Sequence, residues 1–121
     1  PELFFGHIAS NPALHRNLPF FLSWHGDGEI TQAVSRVFVS IGEFDDAVFR
    51  GPAQEWINHW QSATPRPWVL ETRTLPGQTH LSAPPEAFRQ GLGWILDKHL
   101  FQVFDKAPRW ELHSNKIKFD L

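Results

Sequence analysis

The segment from Arg36 to Gly42 constrains the fold more than any other part of this sequence. It reads Arg-Val-Phe-Val-Ser-Ile-Gly, nearly continuous in apolar and β-branched residues, and it ends at a glycine. A strand with one face in water alternates apolar and polar residues, whereas a strand covered on both faces is apolar throughout. The segment therefore predicts a central strand in a parallel sheet that carries helices on both faces.

Strands and helices alternate on either side of this segment. The apolar patterns predict two more strands and two main helices: Phe4–Ser10, Pro52–Gln61, Trp68–Leu75 and Pro84–Leu100. The first helix has a proline in its first turn, and the second has Phe88, Leu92, Ile95, Leu96 and His99 at helical spacing. Such alternation is typical of α/β architecture with parallel strands, although three strands make only a small, incomplete sheet.

Composition excludes several classes of protein. The chain has 121 residues, a length that fits one domain. Its net charge is −2 and its Lys and Arg residues are scattered, so it lacks the basic excess of a nucleic-acid-binding surface. No apolar run is long enough to cross a bilayer, so we expect no membrane span. There is no cysteine, which excludes a disulfide framework and a thiol nucleophile. Neither a cytoplasmic nor a periplasmic location is favoured.

Acidic residues and a histidine follow two of the predicted strands. Glu43, Asp45 and Asp46 come after the central strand, and His80 lies in the loop after Trp68–Leu75. Functional groups of open parallel sheets gather at the carboxyl ends of the strands, so these side chains should face the same end. A carboxylate there can orient an imidazole that acts as a general base.

Each of these residues also has a structural interpretation. The two aspartates fit solvated turn positions or helix caps, and His80 fits a residue that fixes loop backbone near a helix start. The other six histidines are His7, His15, His25, His59, His99 and His113, and their spacing matches no metal-binding motif. We expect neither a metal site nor a cofactor.

Four segments together resemble a known family. In chain order they are Gly6–Leu14, Val37–Asp45, Leu75–Leu81 and Gly91–Leu96. Their order is similar to that of the C-terminal half of the α/β-hydrolase esterase family that includes siderophore esterases, esterase D-like enzymes and mycolyltransferases. The resemblance is strongest to the siderophore-esterase-like serine hydrolases. It implies a C-terminal hydrolase portion over residues 1–100, followed by an extension of unknown role over 101–121.

The resemblance also implies roles for particular residues. His80 matches the catalytic histidine, and Asp45, in Gly-x-x-Asp, matches the acid that supports it, with Asp46 and Glu43 as rivals. The implied activity is hydrolysis of a small-molecule carboxylic ester, of siderophore or other acyl type. None of the seven serines has glycine two residues away on both sides, so the family's Gly-x-Ser-x-Gly nucleophile is expected upstream, together with its oxyanion hole. The start at Pro1 fits a piece of a longer polypeptide. This piece alone would be inactive.

Two other functions compete with this reading. One is a non-catalytic α/β-hydrolase-like module that binds or scaffolds. The other is a carbohydrate- or ligand-binding domain that uses Trp24, Trp68 and Trp110. Whichever function holds, the incomplete parallel sheet would leave an open edge, so we expect a homo-oligomer or association with the chain's own N-terminal half.

Overall fold

A computed structural model describes residues 6–23, 35–63 and 66–106, with side chains through residue 96. Strands and helices alternate along the chain. They are β1 (Gly6–Ser10), α1 (Leu18–Ser23), β2 (Ser35–Gly42), α2 (Ala47–Ser62), β3 (Trp68–Leu75) and α3 (Ala83–Lys106). The first and last segments of the chain, including Trp110, lie outside the described residues, as do Trp24 and His25.

The three strands form one parallel sheet in the order β1-β2-β3. Ile8 lies opposite Phe38, which in turn lies opposite Glu71. The predictions of an α/β class, an open parallel sheet and a central strand at Arg36–Gly42 are therefore confirmed. β2 is central because its apolar residues tolerate cover on both faces, and its last five residues are all buried.

The two faces of β2 pack against different helices. Val39 and Ile41 point toward α2 and form a buried cluster with Ala53 and Ile57. On the opposite face, fully buried Phe38 lies under α3. Helices thus cover both faces of the sheet, as the sequence predicts. The loops that follow the strands lie at the carboxyl end of the sheet.

Helix α3 contacts the sheet through small residues and through Ile95. Ala83, Ala87 and Gly91 are buried, whereas Phe88 and Leu92 are 58% and 36% exposed. The helical spacing of the large apolar residues located the helix; of these, Ile95 is buried, whereas Phe88 and Leu92 lie outside the packed face. Small residues let the helix backbone approach β1 and β2 closely, and larger side chains would hold it away.

Helix α2 begins five residues earlier than the sequence predicts. Asp46 caps it, accepting a hydrogen bond from the Val48 backbone N–H at 3.2 Å. Pro52 consequently lies inside the helix, so its expected place in the first turn is wrong. A proline there leaves the carbonyl of residue 48 without its intrahelical donor.

Helix α3 runs through Leu100 to Lys106, so the boundary expected between residues 100 and 101 falls inside one helix. Over the described residues, no helix combines the length and apolar character needed to cross a membrane.

Candidate functional site

The loops that follow β2 and β3 are joined by their backbones. Glu43 N–H donates to the Leu75 carbonyl at 3.0 Å, and Phe44 N–H donates to the Gln78 carbonyl at 2.8 Å. Gly42 makes this approach feasible, because a Cβ there would lie 2.6 Å from the Gln78 carbonyl oxygen. The acid-bearing and histidine-bearing loops therefore form one unit at the carboxyl end of the sheet.

Asp45 and His80 meet within this unit. His80 Nδ1 lies 2.8 Å from Asp45 Oδ1, which also accepts the Asp46 N–H at 2.8 Å. The Asp45 side chain is fully buried, while that of His80 is 40% exposed. An ionised carboxylate only accepts hydrogen bonds, so Nδ1 carries the proton and the Nε2 lone pair is left available in the neutral ring. None of the described residues forms a hydrogen bond with Nε2.

Phe49 fixes the plane of the imidazole. Its ring stacks on His80 with centroids 4.4 Å apart and planes inclined by 29°. Phe49 also receives the edge of His15 at 5.3 Å. Since Phe49 lies in the first turn of α2, the helix that follows the acid loop also restrains the base. Asp45 and Phe49 thus restrict the imidazole from two directions.

The two rival acids have other partners. Asp46 is exposed and caps α2, and Glu43 is exposed and accepts the Gly77 N–H at 2.7 Å through Oε2. Neither is bonded to His80. Of the three acids named from the sequence, the structure brings only Asp45 to the histidine, and the other two stabilise the loops around it.

Asn11 belongs to the same site, although the sequence analysis assigned it no role. It is 4% exposed and has a positive φ of 47°. Its side chain accepts the Gly42 N–H at 2.7 Å and donates to the His80 carbonyl at 3.2 Å. The sequence does carry one signal for this role: Asn11 is an asparagine, a residue that favours left-handed backbone, and it lies at the end of a strand.

The remaining candidates lie away from this pair. His59 packs edge-on against Trp60, and Trp68 stacks on Trp56 and meets Trp60 edge-to-face, so the Trp68 ring belongs to an aromatic cluster. Across the described residues, no group of three or more His, Asp or Glu side chains could hold a metal ion.

The described serines do not complete a catalytic set with His80. Ser82 is nearest in sequence, but its hydroxyl accepts the Thr79 N–H at 2.8 Å. No serine hydroxyl among residues 6–23, 35–63 and 66–96 is bonded to the imidazole. What the described residues provide is an oriented imidazole with a buried carboxylate behind it.

Comparisons with protein-family models, with curated proteins and with solved structures return no match. The functional interpretation therefore depends on the geometry above and on the order of the sequence motifs.

Proposed function

We propose that this chain is the C-terminal part of a serine ester hydrolase with an α/β-hydrolase fold. In this proposal it supplies the catalytic base, His80, and its supporting acid, Asp45. The nucleophilic serine and the oxyanion hole come from polypeptide upstream. The substrate class is a small-molecule carboxylic ester, of siderophore or other acyl type.

The hydrogen bond between His80 Nδ1 and Asp45 Oδ1 is the observation that carries the proposal. The fully buried Asp45 carboxylate accepts from the partly exposed imidazole and from the Asp46 N–H, and this pairing offsets part of the free-energy cost of burying its charge. The arrangement leaves Nε2 as the basic atom, at the carboxyl end of the sheet, where α/β enzymes have their active sites.

The chemistry follows from these positions. Nε2 of His80 removes the proton from the serine hydroxyl as its oxygen attacks the ester carbonyl carbon. The imidazolium then gives that proton to the leaving alkoxide, which departs as an alcohol. Water repeats the sequence on the acyl-enzyme and releases the carboxylic acid and the free serine. Asp45 keeps Nδ1 protonated throughout and stabilises the imidazolium by its charge.

Ester hydrolysis by the polypeptide that includes the upstream residues tests this proposal. We expect His80→Ala to lower kcat/KM for p-nitrophenyl esters by roughly 10³-fold or more, and Asp45→Asn by about 10²- to 10⁴-fold. His59→Ala is the matched control, since His59 is an exposed histidine on α2 that does not contact the pair. It should leave the rate within about twofold of the parent. Full activity in His80→Ala would refute the assignment.

A non-catalytic binding or scaffold module is the second candidate. It is favoured by one observation, that no described serine is bonded to His80. If the polypeptide with its upstream residues hydrolyses no ester and reacts with no serine-directed probe, this second function replaces the first.

A further inference from the structure

We propose that Asn11 is the positioning residue that holds His80 against Asp45. Its effect on the hydrogen bond between those residues stands on geometry alone, whereas its effect on catalysis rests on the function proposed above. Asn11 directly follows β1, which among the three strands of the described sheet is the one whose end supplies no member of the His–Asp pair. Through Asn11 all three strand ends contribute to one site.

The side-chain amide of Asn11 joins the two functional loops. Its oxygen accepts the N–H of Gly42, three residues before the acid. Its nitrogen donates to the carbonyl of His80 itself. These contacts span 31 and 69 residues of sequence, so they are not local turn contacts. One planar group thereby fixes the separation between the acid loop and the backbone that carries the base.

The backbone of Asn11 fixes where that amide lies. Its N–H donates to the Ser40 carbonyl at 2.8 Å, which ties the end of β1 to β2. Its φ of 47° is costly for most residues, and asparagine is among the few that adopt it readily. Because the residue is 4% exposed, water cannot replace its hydrogen-bonding partners at little cost.

Only an amide of this length satisfies both contacts at once. Aspartate would still accept the Gly42 N–H, but it has no proton for the His80 carbonyl and would repel that oxygen. Glycine would keep the backbone conformation and lose both contacts. The hydrogen bond between His80 and Asp45 is 2.8 Å long, and a displacement of the His80 backbone that takes it beyond about 3.2 Å or bends it strongly weakens it.

The imidazole tautomer reports this displacement directly. Bonding to Asp45 holds His80 in the Nδ1–H form, whereas an unrestrained neutral imidazole favours the Nε2–H form. Nitrogen chemical shifts of ¹⁵N-histidine distinguish the two forms. They can be measured on the 121-residue chain at pH 8.5, where an ordinary histidine is neutral. His80→Gln assigns the signal.

We expect the ratio of the Nδ1–H to the Nε2–H form of His80 to fall about tenfold in both Asn11→Asp and Asn11→Gly. Ile57→Val is the control for general destabilisation, because Ile57 is buried in the core on the α2 side. That variant should keep the parent ratio. If Asn11→Asp does not fold, Asn11→Gly, which retains the favoured backbone, still gives the measurement.

The two proposals fail in different ways. An unchanged tautomer ratio in Asn11→Gly would overturn the positioning role of Asn11, whatever the hydrolytic activity. A tenfold fall in the ratio, in a polypeptide that hydrolyses no ester even with its upstream residues, would support the positioning role and refute the enzymatic function. Where both hold, Asn11→Gly should lower kcat more than it raises KM, because it displaces the base and not the substrate.

Discussion

Two glycines on α3 test how closely this helix approaches the sheet. A Cβ at Gly91 would lie 2.8 Å from Phe38 Cδ1 and 2.9 Å from Ile8 Cγ1, whereas a Cβ at Gly93 would meet nothing within 4 Å. Replacing glycine by alanine inside a helix stabilises it by about 0.5–1 kcal/mol. Overpacking a core costs about 1–3 kcal/mol. Gly93→Ala should therefore be stabilising, and Gly91→Ala should be neutral or destabilising by up to about 2.5 kcal/mol.

The difference between these two variants isolates the packing cost, because helix propensity contributes equally to both. We expect Gly91→Ala to be less stable than Gly93→Ala by about 1–3 kcal/mol. Urea unfolding followed by tryptophan fluorescence measures the difference, and the six tryptophans give a strong signal. Equal stabilisation by both alanines would show that α3 does not lie against Phe38 and Ile8 as described.

Three further results are expected. Asp46→Ala should destabilise the chain by about 1 kcal/mol through loss of the α2 cap, yet leave ester hydrolysis nearly unchanged; a loss as large as that of Asp45→Asn would reassign the acid. Hydrogen bonds from Arg89 and Gln90 lower the pKa of Glu86 to about 2. That stabilisation is present above the ordinary glutamate pKa and is lost as pH falls toward 2, so the stability difference between the parent and Glu86→Gln should shrink in acid unfolding curves. Because β1 and β3 are edges of the described sheet, light scattering at micromolar concentration should show species larger than a monomer, and a single monomeric species would contradict this.

The alternation of strands and helices was predictable because each main segment carries its own periodicity. The bounds of β3 match the prediction, and β2 differs by one residue. The start of α2 was not predictable from its proline, because the Asp46 cap outweighed the preference of proline for a first turn. The periodicity of α3 indicated only part of its packed face: Ile95 is buried, but Phe88 and Leu92 are exposed, and alanines and a glycine make the closest contact with the sheet.

The site was predictable in part for a comparable reason. The order of the strands along the chain indicates which loops lie at the carboxyl end of the sheet. On that basis the sequence predicts that Asp45, Asp46, Glu43 and His80 lie near one another. The resemblance favoured Asp45 among the three acids, but all three lie within four residues, so only the geometry shows which of them contacts His80. Asn11 was missed because its contacts span 31 and 69 residues, beyond any local pattern.

Fluorophosphonate labelling tests the central proposal most directly. The probe reacts with a serine only where a base activates it. We predict no labelling of the 121-residue chain alone, and stoichiometric labelling of an upstream serine when the preceding polypeptide is present, abolished by His80→Ala. Labelling of a serine within the 121 residues, or labelling that persists in His80→Ala, would contradict the proposal that His80 is the base for an upstream nucleophile.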